Sequence, residues 1–167
     1  MLWVLLACAL SAAACSKQDS GTAGKAQAKE IHWKMASSFA ATTPLSGDSG
    51  PIFSEKLLRV SGGRLEIRFY DPGKLVPALE VFDAVGKGAV DAGWTASGYW
   101  IGKMPASAMF TAVPFGPDIP EYLAWIYHGG GIELWRELYA RHGVWVTPCV
   151  VLTANHEVSS RTILTRM

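Results

Sequence analysis

Residues 64–71, RLEIRFYD, alternate without a break. Leu65, Ile67 and Phe69 fall on one side, and Arg64, Glu66, Arg68 and Tyr70 on the other. A period of two over this length is the pattern of a strand with one buried face. Asp71-Pro72-Gly73 closes it with turn chemistry, and Gly62-Gly63 separates it from a preceding helical pattern. A strand held between two helical patterns leaves few folds open.

The flanking segments continue the alternation of types. IHWKMAS, from Ile31, is short and apolar-biased and reads as a first strand. In the helix that follows, Pro51 suits the first turn, and Phe53, Leu57 and Val60 share a face. A second helix is expected over LVPALEVFDAVGKG, with Leu75, Leu79, Phe82 and Val85 facing inward, ended by Gly86 and Gly88. AVDAGWTAS is a short buried strand. The aromatic, proline-punctuated stretch 98–120 reads as loop with one helical turn. Pro120 opens a helix facing inward through Leu123, Ile126 and Tyr127. After Gly129-Gly130-Gly131 a further helix presents Ile132, Trp135 and Tyr139, with Glu137 and Arg141 spaced for an i,i+4 pair. Gly143 stops it and VWVTPCVV is a strand. Strands alternating with helices predict an α/β fold, an open sheet with helices on both faces. Ligands of such sheets bind beyond the carboxyl ends of the strands, here the loops SSFAATT and TASGYW.

The net charge of +1, with no basic cluster or acidic tail, gives no argument for nucleic acid or an anionic membrane surface. The first fourteen residues are apolar or small, too few to span a bilayer. They resemble a signal peptide over 1–14. Ala12-Ala13-Ala14 suits ordinary cleavage, and Cys15 directly after it suits lipidation, although Ala12 stands where a lipoprotein box usually has leucine. The polar segment 15–30 reads as a flexible tether. Cys8 falls inside the signal, so Cys149 is left alone in the domain and reads as a small hydrophobe with no disulfide framework around it.

Catalytic and metal constellations are not found. His32, His128, His142 and His156 lack ligand spacing. Ser97 in TASGY lacks the first glycine of a hydrolase elbow. The triple glycine follows a helix and precedes Ile132-Glu133, where a phosphate loop needs a preceding strand and a following lysine. It therefore reads as a break between two helices. The positive signal is aromatic: Phe39, Tyr99 and Trp100 fall where an α/β crevice holds a small ligand. Ser38 and Phe115 join them as candidates for the N-terminal side of that crevice.

Taken in order, SGGRLEI, VPALEVFDAV, GYWIGKMPA, AVPFG and GGGIELWRELY resemble the N-terminal half of a TRAP (tripartite ATP-independent periplasmic) transporter solute receptor, over roughly residues 31–149. Within that family they resemble the branch that binds 2-oxo acids and related monocarboxylates, also described under mannitol and chloroaromatic compounds. The resemblance implies a type II periplasmic-binding-protein-like architecture whose two domains close around a small organic acid and deliver it to membrane permease subunits. It implies a binding protein and not an enzyme, in the periplasm, and a full-length site in which a sodium ion can lie beside the ligand; lipid anchoring rests on Cys15 after the signal and not on the resemblance. It also implies a second-domain arginine pairing with the ligand carboxylate.

After Pro148-Cys149 the family continues with a glycine-rich segment, a glutamine and Gly-Trp-Phe. Here VVLTANHEVSSRTILTRM stands instead. Residues 150–167 are therefore expected to be a divergent tail, the first domain largely present, and the second truncated, as in a shortened or frame-shifted product. Neither the arginine nor the sodium ligands have a counterpart, and Arg161 lies in the unmatched segment. The alternative reading is a lipoprotein interaction or sensor module that binds no solute of its own.

Overall fold

A computed structural model describes residues 29–111, 113, 115–154 and 157–167. The expected signal, the lipidation candidate Cys15 and nearly all of the expected tether lie outside the described residues. Five strands form one sheet in the order β2-β1-β3-β5-β4. They are β1 (Ile31–Ser37), β2 (Leu65–Tyr70), β3 (Ala92–Thr95), β4 (Val144–Ala154) and β5 (Glu157–Arg166). β1 is parallel to β2 and β3, whereas β5 runs antiparallel to both β3 and β4. The helices are α1 (Ser49–Val60), α2 (Val81–Gly86), α3 (Ile119–His128) and α4 (Gly131–Ala140).

β2 keeps its alternation: Ile67 is buried and Glu66 and Arg68 are exposed. Its apolar side meets α1, where Phe53 and Leu57 pack on Met35, Ile67 and Trp94. Val60, expected on that face, is 85% exposed. It is the last residue of α1, next to the turn that Gly62 and Gly63 make with positive φ.

The second expected helix is shorter than its periodicity suggests. Pro77 sits in extended backbone (ψ 148°) and biases the residue before it away from helical angles. A 3-10 turn, Ala78–Glu80, leads into α2. The inward face is Val81, Phe82, Ala84 and Val85, while Leu79 is 63% exposed. Between β3 and α3 the chain makes two 3-10 turns, Ser97–Trp100 and Pro105–Phe110, where one helical turn was expected.

α3 starts at a capping box: the Asp118 carboxylate accepts from the Glu121 backbone N–H, and the Glu121 carboxylate accepts from that of Asp118. This start sets the helix phase so that Tyr122 and Ile126 are buried and Tyr127 faces out. The expected α4 face holds, with Ile132, Trp135 and Tyr139 all buried. Arg141 donates to Glu137 at 2.9 Å. These residues join Phe82, Trp100, Phe110, Val146 and Leu164 in the larger of two cores, so helices cover both faces of the sheet.

The three glycines do mark a helix break, and each has its own reason. Gly130 takes φ +83°, the left-handed region. A Cβ on Gly129 would stand 3.0 Å from the Trp125 Cα, and one on Gly131 would stand 3.0 Å from the Trp125 ring and the Ile126 Cα. One glycine turns the chain, and its two neighbours leave room for Trp125 beneath it.

The segment expected to be a divergent tail lies inside the sheet. β5 sits between β3 and β4, and Thr162, Ile163 and Leu164 are buried. Ile163 faces the smaller core and Leu164 the larger. β4, with Pro148 beside a register shift, takes the sheet edge, where a proline is tolerated.

Candidate functional site

The parallel strands β1 and β3 end side by side, joined by the Ser38 backbone N–H donating to the Trp94 carbonyl at 2.9 Å. Just beyond, Ser38 Oγ donates to the Ala78 carbonyl at 2.7 Å and lies 2.7 Å from Thr95 Oγ1. A hydroxyl has one proton. With that of Ser38 given to Ala78, Thr95 is the donor between them. Both side chains are buried. They tie the ends of β1 and β3 to the turn that opens α2.

Phe39 is held next to this junction. Its backbone N–H donates to Ser37 Oγ at 2.9 Å, and Ser37 Oγ donates back to the Phe39 carbonyl at 2.7 Å. Its ring meets that of Tyr99, with centroids 5.6 Å apart and planes tilted by 35°. Tyr99 is 42% exposed. Ser38, Phe39 and Tyr99 therefore come together at one lip of the sheet. The following loop is pinned as well: Trp94 Nε1 donates to the Ser46 carbonyl at 2.7 Å, and the Ala41 N–H to Asp71 Oδ1 at 2.7 Å.

The other two candidates do not join that contact. Trp100 is 2% exposed. It stacks on Phe82 at 4.9 Å and donates from Nε1 to Tyr139 Oη at 2.8 Å, so it is core and not crevice wall. In the turn Ser97–Trp100 neighbouring side chains diverge by about 120°, and the larger apolar surface, that of Trp100, goes inward. Phe115 is 99% exposed with φ +56°. Among the described residues no ring contact joins it to Phe39 and Tyr99. Leu45, in the loop after β1, is likewise exposed and left-handed, φ +63°. Such backbone is rare for bulky residues and concentrates in functional loops.

Sequence reasoning missed Thr95, Ala78 and Leu45. Thr95 carried a usable signal, a hydroxyl closing the central strand that neighbours β1. The carbonyl of Ala78 and the dihedral angles of Leu45 carried none.

His32 pairs with Glu66 at 2.9 Å on the exposed face of β1 and β2. His128 and His142 are exposed, and His156 is outside the described residues. Among the described residues no three His, Cys, Asp or Glu side chains converge, and the Ser38 and Thr95 hydroxyls are committed to protein partners. These residues do not fit a cation. Cys149 packs against the smaller core, where burial pushes its thiol up to about 11. A separate apolar groove, in two parts of about 130 and 320 Å³ sharing Met109 and Trp125, runs between the turn Pro105–Phe110 and α3–α4. None of the five candidates lines it.

Residues 35–146 match the model of the bacterial extracellular solute-binding proteins, family 7. A monocarboxylate 2-oxoacid-binding periplasmic protein of Nostoc is 33% identical over 139 residues, covering 83% of this chain and 38% of that relative. A TRAP periplasmic solute-binding protein of Pseudoalteromonas atlantica, solved with sodium and pyruvate, is 38% identical with a TM-score of 0.69, over 72% of this chain and 36% of that one. A TRAP solute-binding protein of Bordetella bronchiseptica, solved with calcium and picolinate, is 29% identical with a TM-score of 0.71, over 74% and 37%. The chain thus spans under two fifths of the length of these relatives.

Proposed function

The chain belongs to the family 7 bacterial extracellular solute-binding proteins, the receptors of TRAP transporters, and on that premise we propose that it captures a small 2-oxo or hydroxy carboxylate outside the cytoplasmic membrane. The observation that carries this reading is the lip at the carboxyl ends of β1 and β3. There Phe39 and Tyr99 form an aromatic surface over hydroxyls locked by Ser38, Thr95 and Ala78. A rigid, largely apolar wall with few polar groups suits a small organic acid, whose apolar carbons need cover and whose carboxylate needs donors from the facing side. Sodium with pyruvate in the 38% identical receptor supports the ligand class.

On this reading the protein performs no chemistry on its solute. It hands the solute to membrane permease subunits, and Cys15 carries a lipid that keeps the domain at the membrane. Ser38, Phe39 and Tyr99 form its side of the crevice, and Phe115 reaches the solute or the facing wall from an exposed loop.

Calorimetric titration with pyruvate and with lactate, in sodium and in choline buffers, tests the reading. Heat is expected once the chain is joined to the part of a family receptor that supplies the facing wall, with affinity reduced roughly tenfold or more in Tyr99→Ala. No heat and no thermal shift with any small carboxylate overturns it.

A further inference from the structure

Tyr139 lies on α4, yet its hydroxyl reaches the loop that carries Tyr99. Trp100 Nε1 donates to Tyr139 Oη at 2.8 Å, and Tyr139 Oη donates to Ser97 Oγ at 2.7 Å. Tyr139 and Ser97 are fully buried and Trp100 nearly so. The phenol therefore acts as acceptor and donor at once. Its two partners are the first and last residues of one 3-10 turn, Ser97–Trp100. Tyr99 sits between them, the large side chain of that turn left 42% exposed.

With Ser97 and Trp100 both fixed to one oxygen, the turn cannot rotate about its own axis without breaking a buried hydrogen bond. That rotation would carry Tyr99 away from Phe39. Ring packing supports the clamp: Phe82 stacks on Trp100 and meets Tyr139 edge-on at 5.3 Å. Desolvation raises the Tyr139 pKa, which keeps the proton needed by Ser97 in place.

We propose that Tyr139 is the positioning residue of the solute-facing loop, holding Tyr99 against Phe39 through Ser97 and Trp100. This rests on the reading that Tyr99 contacts the solute. It also gives the helix after the glycine break a task at the crevice: α4 supplies the anchor for a loop 42 positions earlier in the chain.

Tyr139→Phe removes the hydroxyl and keeps the ring, and Ser97→Ala breaks the same link from the loop. Each is made in protein labelled with 3-fluorotyrosine. The chain has five tyrosines, so the fluorine resonance of Tyr99 is assigned by its loss in Tyr99→Phe. Both variants are expected to shift or broaden that resonance and to weaken pyruvate binding roughly tenfold. Their combination should weaken binding no further than Tyr139→Phe alone, because that variant already removes the link to Ser97. An unmoved Tyr99 resonance together with pyruvate affinity within about twofold overturns the proposal, even if the melting temperature falls, because a merely structural role does only that. If Tyr139→Phe does not fold, Ser97→Ala decides alone. If the unaltered joined receptor binds no carboxylate but the resonance moves in both variants, the positioning stands and the solute reading falls.

Discussion

The hydroxyls of Ser38 and Thr95 stand 2.7 Å apart, although 57 residues separate them in the chain. They hold two strand ends and the start of α2 in one buried contact. Ser38→Ala leaves the Thr95 hydroxyl and the Ala78 carbonyl without their partner. Such a loss costs about 1–3 kcal/mol when the orphaned groups are buried. In urea unfolding, Ser38→Ala with Thr95→Val should destabilise by less than the sum of the single variants. Additive losses would show that the contact contributes nothing.

The glycine break should respond differently at each position. Gly130→Ala forces a side chain into left-handed backbone and is expected to cost about 1–2 kcal/mol with little change around Trp125. Gly131→Ala places a Cβ 3.0 Å from the Trp125 ring and should alter near-ultraviolet circular dichroism. Identical spectra for the two variants would argue against separate roles.

Leu164 is fully buried in β5, an interior strand of the sheet. Leu164→Ala is expected to destabilise by about 2–5 kcal/mol. Val60→Ala, at a side chain 85% exposed, should stay within about 0.5 kcal/mol. Denaturant midpoints read both. Equal effects would contradict the placement of β5 between β3 and β4.

Burial raises the Cys149 thiol from an ordinary 9.0 to about 11, and Tyr139 shifts in the same direction. In both, the folded state favours the neutral form. Their contribution is therefore intact below the unfolded-chain values and is lost as pH rises toward the folded ones. Urea midpoints should be level from about pH 7 to 8 and fall between about pH 9 and 11. Cys149→Ala should flatten the first part of that fall. An unchanged slope in this variant would remove Cys149 as a cause.

The elements legible in the sequence are those whose pattern is local. The alternation of Leu65, Ile67 and Phe69, the α4 face of Ile132, Trp135 and Tyr139, and the glycine break each show within a few residues. Where inward faces were misplaced, a single residue set the phase. Pro77 delayed α2, and the Asp118 cap rotated α3 so that Tyr122 replaced Tyr127 inside. Of the candidate residues, Ser38, Phe39 and Tyr99 meet at one lip, as expected of loops after parallel strands, where α/β crevices form. Trp100 was taken for crevice wall because its neighbour Tyr99 is exposed, and sequence does not say which side chain of a turn faces in.

By itself, then, the sequence determined most of the strands and helices from Ile31 to the start of β4 and, through its motif order, the family; it did not show β5. The tertiary structure decided the rest. Pairing across the sheet drew the terminal segment into the space between β3 and β4, because that gap leaves two rows of backbone groups to be bonded. The bulk of Trp125 set how much room the glycines had to leave. One hydroxyl on α4 found its partners in a distant turn. Periodicity records how a segment divides its own polar and apolar sides; what each side meets depends on parts of the chain that are close only after folding.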